Sequence, residues 1–165
     1  MRQIVRMMLS VAVVTVGSSL AQSALACPDY TLTGEQATYS SNELYSAVRH
    51  TLTAGGDYNL ARCDEPGSGW VTREPDYTFR LTGNAAQRRK LVFRTEAGCD
   101  TVLLINAPSG EWTFDDDGSQ GLNAKIDFEN AAEGLYDIWV GTAGENDCRA
   151  TLITETFGNA GKRSR

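Results

Sequence analysis

Histidine is almost missing from this chain: His50 is the only one in 165 residues. That excludes any site built on two imidazoles, HExxH-type zinc chemistry included. Long apolar runs are missing as well. The most apolar stretch, residues 7–16, is broken by Ser10 and Thr15 and is too short to cross a bilayer, so no membrane insertion is expected. Positive charge is scarce, with 15 Lys and Arg against 21 Asp and Glu and a formal net charge of −6. Nucleic acid therefore has no electrostatic reason to bind. None of the four cysteines falls in a C-x-x-C pair, so thioredoxin-like redox chemistry and zinc-ribbon ligation lack their geometry. Hydrophobic periodicity of the helical kind is nearly absent, and its best stretch, residues 42–48, reads as loop running into strand.

The chain does carry an address. Arg2 and Arg6 precede the apolar run, Gly17-Ser18-Ser19 follows it, and Ala24-Leu25-Ala26 forms a small-x-small cleavage site. This is the layout of a secretory signal peptide over residues 1–26, cut after Ala26. Export to the periplasm or the extracellular space follows. Cys27 then becomes the first mature residue, which raises lipidation as an alternative. Lipoprotein signals place Leu three residues before that cysteine, whereas here Ala24 stands there and Leu25 is two before. Lipidation would also leave an odd thiol, so soluble export is expected. Removal of the first 26 of 165 residues leaves 139 and moves the charge from −6 to −8, because Arg2 and Arg6 leave and no acid does. That length suits one domain, placed at residues 27–157, and the expected state is a monomer. A basic tail, residues 158–165, follows with little to dock it.

The mature cysteines are Cys27, Cys63, Cys99 and Cys148. Four in an exported chain read as two disulfides, with three connectivities open. Cys27–Cys63 and Cys99–Cys148 are favoured, because each closes a loop within one half of the chain. The first would pin the mature N-terminus, and the second would tie a central strand to the penultimate one.

Short bursts of alternating apolar and polar residues fill the rest, separated by Gly, Pro, Asn and Asp. Val48, His50, Leu52 and Ala54 share one strand face. Tyr77, Phe79 and Leu81 share another, closed by Gly83-Asn84. Strands are also expected at 90–95, 101–106, 111–114, 124–128, 135–141 and 149–157. The run Val102-Leu103-Leu104-Ile105 suits a central strand. Such spacing indicates an all-β fold, an antiparallel β-sandwich.

Four stretches of the second half carry a family pattern. They are Cys99-Asp100-Thr101-Val102-Leu103-Leu104, then Trp112-Thr113-Phe114-Asp115-Asp116-Asp117-Gly118, and Gly121 to Ile126 followed by Gly134-Leu135-Tyr136-Asp137-Ile138-Trp139-Val140-Gly141-Thr142. Together they resemble the bacterial pre-peptidase C-terminal (PPC) type of domain, closely over residues 100–142 and loosely in the flanking strands. The resemblance implies a jelly-roll-like sandwich of exported bacterial proteins, often beside secreted peptidases, some of whose relatives bind calcium or polymeric substrates. No peptidase domain precedes the motif here, so a stand-alone version is implied.

Catalytic chemistry finds little support. A Ser-His-Asp triad would need His50, which lies mid-strand on an apolar face, and neither G-D-S-G-G nor G-x-S-x-G occurs. Paired carboxylates for glycoside hydrolysis cannot be recognised by spacing among so many acids. The most distinctive polar feature is Asp115-Asp116-Asp117-Gly118. An Asx-type turn, its side chains bonding their own backbone, is the commoner way to offset its crowded charge; calcium is the alternative, with Asp115, Asp117, Asn123 and Asp100 as oxygen donors. Trp70, Trp112 and Trp139 are candidates for a carbohydrate- or peptide-stacking platform, against ordinary core packing. Trp139 shares its face with Asp137, opposite Tyr136, Ile138 and Val140. Arg88-Arg89-Lys90 reads as a solvated strand edge.

The expected function is thus an exported, disulfide-stapled binding or accessory module without catalysis of its own. A protein or polysaccharide of the cell envelope would be its partner, and it would require no cofactor. A small secreted hydrolase or peptidase-associated modulator is one alternative, and a calcium-dependent interaction module is another.

Overall fold

The computed structural model describes residues 27–158. The expected leader and the tail beyond residue 158 lie outside the described residues. Eleven strands form two sheets: β1 (Glu35–Ser40), β2 (Val48–Ala54), β3 (Tyr58–Asn59), β4 (Trp70–Val71), β5 (Tyr77–Thr82), β6 (Lys90–Ala97), β7 (Thr101–Asn106), β8 (Trp112–Asp115), β9 (Lys125–Phe128), β10 (Gly134–Thr142) and β11 (Cys148–Phe157). Two 3-10 turns, Glu43–Tyr45 and Leu60–Arg62, are the helical elements among the described residues. No helix there is long and apolar enough to cross a membrane.

The larger sheet has seven strands and is organised around β10. One edge of β10 pairs first with β5, which carries β1, and then at Thr142 with Trp70 of β4, which carries β3. The other edge pairs with β7, which carries β8. The smaller sheet runs β2-β11-β6-β9 and is antiparallel throughout. The expected sandwich is therefore present, with one departure. β1 runs parallel to β5, from Glu35↔Tyr77 to Ser40↔Thr82. Parallel neighbours need a long connection, and this one is supplied by β2, which visits the opposite sheet in between.

Alternation decides which side chains enter the space between the sheets. Tyr136, Ile138 and Val140 from β10, Phe79 and Leu81 from β5, Leu103 and Ile105 from β7, and Phe93 and Leu152 from the smaller sheet make the main core. Its aromatic centre is edge-to-face, with Phe79 and Phe93 at 5.4 Å and Phe128 and Tyr136 at 5.2 Å. Burial pushes the Tyr136 phenol up to about 12, and its hydroxyl donates to Ala132 O at 2.8 Å. All six residues of β7 are buried, which explains its unbroken apolar run. Leu103 and Ile105 face the main core, and Val102 and Leu104 face the other way.

Both favoured disulfides are present, with Cα–Cα distances of 5.7 Å for Cys27–Cys63 and 6.5 Å for Cys99–Cys148. The second joins different elements from those expected. Cys99 sits in the tight turn between β6 and β7, and Cys148 opens the last strand, not the penultimate one. A Cys27 sulfur bonded to Cys63 is also unavailable for lipidation.

Candidate binding surface

The outer face of the seven-stranded sheet is where three of the sequence features meet. Register places Phe114, Leu104 and Trp139 side by side across β8, β7 and β10. With Leu60, Val71 and Val102 they form a second apolar cluster, against which Trp112 also packs. Its cover comes from the segment Tyr58 to Val71, in which β3 and β4 extend the sheet and the 3-10 turn and loop between them lie against the cluster. Gly67 in that loop has φ +100 and lies flat on the Phe114 ring, where a methyl group would collide.

Trp139 is therefore fully buried and presents no face to a ligand. Its indole N–H donates to Arg73 O at 3.3 Å. Trp112 is half-buried, with its ring 5.3 Å from Trp139. Trp70 lines a separate small cleft of about 100 Å³ with Tyr58, Arg62 and the Cys27–Cys63 disulfide. Of the three tryptophans, then, the fold stacks Trp112 on Trp139 and directs Trp70 elsewhere.

Tyr30 joins this stack, and sequence reasoning missed it. Its ring meets Trp112 edge-on at 6.1 Å and stays 57% exposed. It belongs to a strap, residues 27–34, held at several points. The disulfide fixes Cys27, the Asp29 carboxylate pairs with Arg73 at 3.0 Å, and Asp29 N–H donates to Arg73 O at 2.9 Å. Thr31 donates twice to Asp29 Oδ1, and those bonds, ahead of Arg73, hold the Asp29 carboxyl below its usual range. At the far end Gly34 N–H donates to Thr78 Oγ1 at 3.1 Å. Tyr30 meets Trp112 of β8 and Gly34 meets Thr78 of β5, and the path between those two contact points runs across β7 and β10. Asn106 and Asp137 lie on that path in one cross-strand row with Trp112 and Thr78, and they are only 7% and 8% exposed. Burial raises the Asp137 carboxyl, opposed by the Thr78 hydroxyl that donates to it at 2.8 Å. Beyond the strap the same face holds an open groove of about 170 Å³ lined by Thr33, Gln36, Thr38, Thr78, Arg80 and Leu135.

The acidic turn is engaged in folding. Asp115 Oδ2 accepts from Gly118 N–H at 2.7 Å and from Lys125 N–H at 2.8 Å, joining the end of β8 to the start of β9. Gly118 has no room for a Cβ because the Asp115 carboxylate occupies that place. Asn123 Oδ1 accepts from Ala97 N–H at 2.9 Å, and its amide donates to Gln120 O at 2.9 Å. Asp100 is raised by burial and by the nearby charges of Asp117 and Asp116. Among the described residues, these acids do not gather three carboxylates within metal-binding reach. The one grouping that close is Cys27, Cys63 and Glu65, whose sulfurs are bonded to each other.

His50 is wedged between two phenols, 4.8 Å from the Tyr77 ring and 6.1 Å from that of Tyr39. Burial lowers its pKa, and the Glu35 carboxylate opposes that. This is an aromatic packing site. The basic run is mostly paired: Arg89 donates to Ser41 O at 2.8 Å, and Lys90 bridges Asp127 and Glu129. A wider cleft of about 410 Å³ lies beside it, lined in part by Asn84, Arg88, Asn130 and Glu133. Arg88 and Asn130 are the non-glycine residues with positive φ among those described, at 48° and 49°. No periodic signal marks such a place in sequence, because loops alone build it.

No protein-family model matches the chain, and no curated protein matches its sequence. Among solved structures it is similar to the pre-peptidase C-terminal domain of a collagenase from Bacillus anthracis. That match has a TM-score of 0.42 and 15% identity, and covers 73% of this chain and 95% of that one. It is also similar to Aeromonas hydrophila PliG, a periplasmic lysozyme inhibitor of g-type lysozyme. Here the TM-score is 0.38 and the identity 11%, over 76% of this chain and all of that one.

Proposed function

We propose that this chain is an exported, non-catalytic binding module of the cell envelope that engages a polysaccharide through Tyr30 and Trp112. The observation that carries this reading is an exposed aromatic ring held in place. Tyr30 sits on a strap tied at both ends, and its neighbour Trp112 rests on the buried Trp139. An immobilised ring gives up little conformational freedom when a ligand covers it, and Tyr and Trp supply large contact areas. The adjoining groove adds the Gln36 amide, the Arg80 guanidinium and threonine hydroxyls as hydrogen-bonding partners for sugar hydroxyls. Two disulfides support an oxidising compartment. The packing of His50 between Tyr39 and Tyr77 supports a role other than hydrolysis.

Titrating the disulfide-bonded chain with a panel of envelope glycans, read by tryptophan fluorescence, tests this. Trp112 next to the contact should change emission on binding. Tyr30→Ser should weaken binding by about tenfold while leaving the melting temperature nearly unchanged. A protein captured from envelope extract in a Tyr30-dependent way would replace the polysaccharide as partner. Binding indifferent to Tyr30→Ser would overturn the site.

A further inference from the structure

We propose that Glu65 is the receiving site for a new N-terminus, the α-ammonium that processing between Ala26 and Cys27 creates. This rests on the signal-peptide reading of residues 1–26. Among the described residues, Glu65 Oε2 stands out as the side-chain oxygen that is shielded from solvent and has no hydrogen-bond partner. A carboxylate oxygen so placed is costly unless something pairs with it. A carboxylate oxygen of Glu65 lies within 4.8 Å of Cys27 Sγ and Cys63 Sγ. The backbone nitrogen of a cysteine is itself only about 3–4 Å from its own sulfur, as bond lengths dictate. The disulfide therefore keeps the Cys27 nitrogen in the neighbourhood of the Glu65 carboxylate, within about 8 Å of one of its oxygens.

While residue 26 is attached, that nitrogen is an uncharged amide with one directed N–H. Hydrolysis by a signal peptidase adds water across the Ala26–Cys27 bond. Ala26 leaves with the new carboxylate, and Cys27 keeps the nitrogen, which takes up a proton and becomes an ammonium. The ammonium brings a full positive charge and three donors to an acid that lacks a partner. Asp57 and Arg62 line the adjoining cleft with Cys27. Asp57 would reinforce the ammonium, and Arg62 is the competing cation. Pairing with Glu65 would add a second hold beside the disulfide at the Cys27 end of the strap that carries Tyr30, so the ligand-facing ring would gain its final anchoring only on maturation.

The test compares two oxidised chains, one beginning at Cys27 and one retaining Ala26, each with and without Glu65→Gln. The chain beginning at Cys27 should melt higher than the longer one, and Glu65→Gln should erase that difference. Its α-amine should titrate above the ordinary range of about 7.7–8.0 and return to it in Glu65→Gln. The added stability should disappear as pH rises through that raised value. Equal melting of the two chains, or an amine unaffected by Glu65→Gln, would overturn the docking. So would an Arg62→Gln variant that reproduces the Glu65→Gln effect in both chains, since Glu65 would then belong to Arg62. N-terminal sequencing of the exported protein tests the cleavage separately, and any start other than Cys27 would overturn the maturation step. Tyr30→Ser leaves every one of these readouts in place, so failure of the polysaccharide reading is distinguishable.

Discussion

Two partly buried titratable side chains pull stability in opposite directions with pH. Asp76 stands where β5 gives way to the gap before β4. Its N–H donates to Ile138 O at 2.8 Å, and its Oδ2 accepts from Val140 N–H at 2.7 Å, so the side chain continues the ladder along β10. Burial pushes its carboxyl from 3.8 up to about 7, against the Val140 bond. Between those values the native chain keeps a proton that the unfolded chain has released, so stability falls as pH rises through that window. His50 works the other way. Its native pKa lies below 6.5, so the unfolded chain binds the proton first and stability falls as pH drops beneath 6.5. Asp76→Asn keeps an acceptor for Val140 N–H and removes the titration. It should gain on the order of 2 kcal/mol above pH 7 relative to wild type, with the gain vanishing near pH 4. Denaturant unfolding across that range decides it, and parallel curves for the two proteins would refute the assignment. His50 was legible in the sequence because its strand alternates cleanly. Asp76 was not, because its partner Val140 comes from β10, 64 residues away.

At the scale of elements, legibility follows apolar alternation. The eight strands with a clear inward face were expected near their observed places, and the unbroken run of β7 was rightly read as central. β1 has only Ala37 and Tyr39 packed against the core, too few to announce a strand. β3 and β4 have two residues each, shorter than any period. For that reason Trp139 was assigned correctly to the face opposite the main core, but the segment that buries it stayed invisible. The acidic turn shows the same division. Its crowded charge was plain from the sequence, and only the fold supplies the partners, since Lys125 is ten residues away on another sheet. Asp115 acts as a clasp between β8 and β9. Asp115→Ala should cost about 1–3 kcal/mol, because two N–H groups lose their acceptor. Millimolar calcium should leave the wild-type melting temperature where it is. A rise that Asp115→Ala abolishes would instead make this turn a calcium site.

At the scale of the molecule the two disulfides restrain different layers. Cys99–Cys148 joins the turn between β6 and β7 to the start of β11, inside the sandwich proper. Cys27–Cys63 joins the strap to the segment covering Trp139, outside it. Both close loops of comparable length, with separations of 36 and 49 residues, so their effects on the unfolded chain should be similar, roughly 3–4 kcal/mol each. Their effects on the native state should differ. Replacing Cys99 and Cys148 together by Ser should lower the melting temperature while leaving native tryptophan emission unchanged. Replacing Cys27 and Cys63 by Ser should lower it to a similar degree and also shift the emission to the red, as the cover over Trp139 and Trp112 loosens. Far-ultraviolet circular dichroism should stay that of the intact sandwich, because the main core lies on the other face of the sheet. The Cys27/Cys63 variant should then lose ligand affinity out of proportion to its stability, since Tyr30 is no longer held. If instead both double variants keep identical emission and affinity, the strap is decoration on the sandwich and the binding surface lies elsewhere.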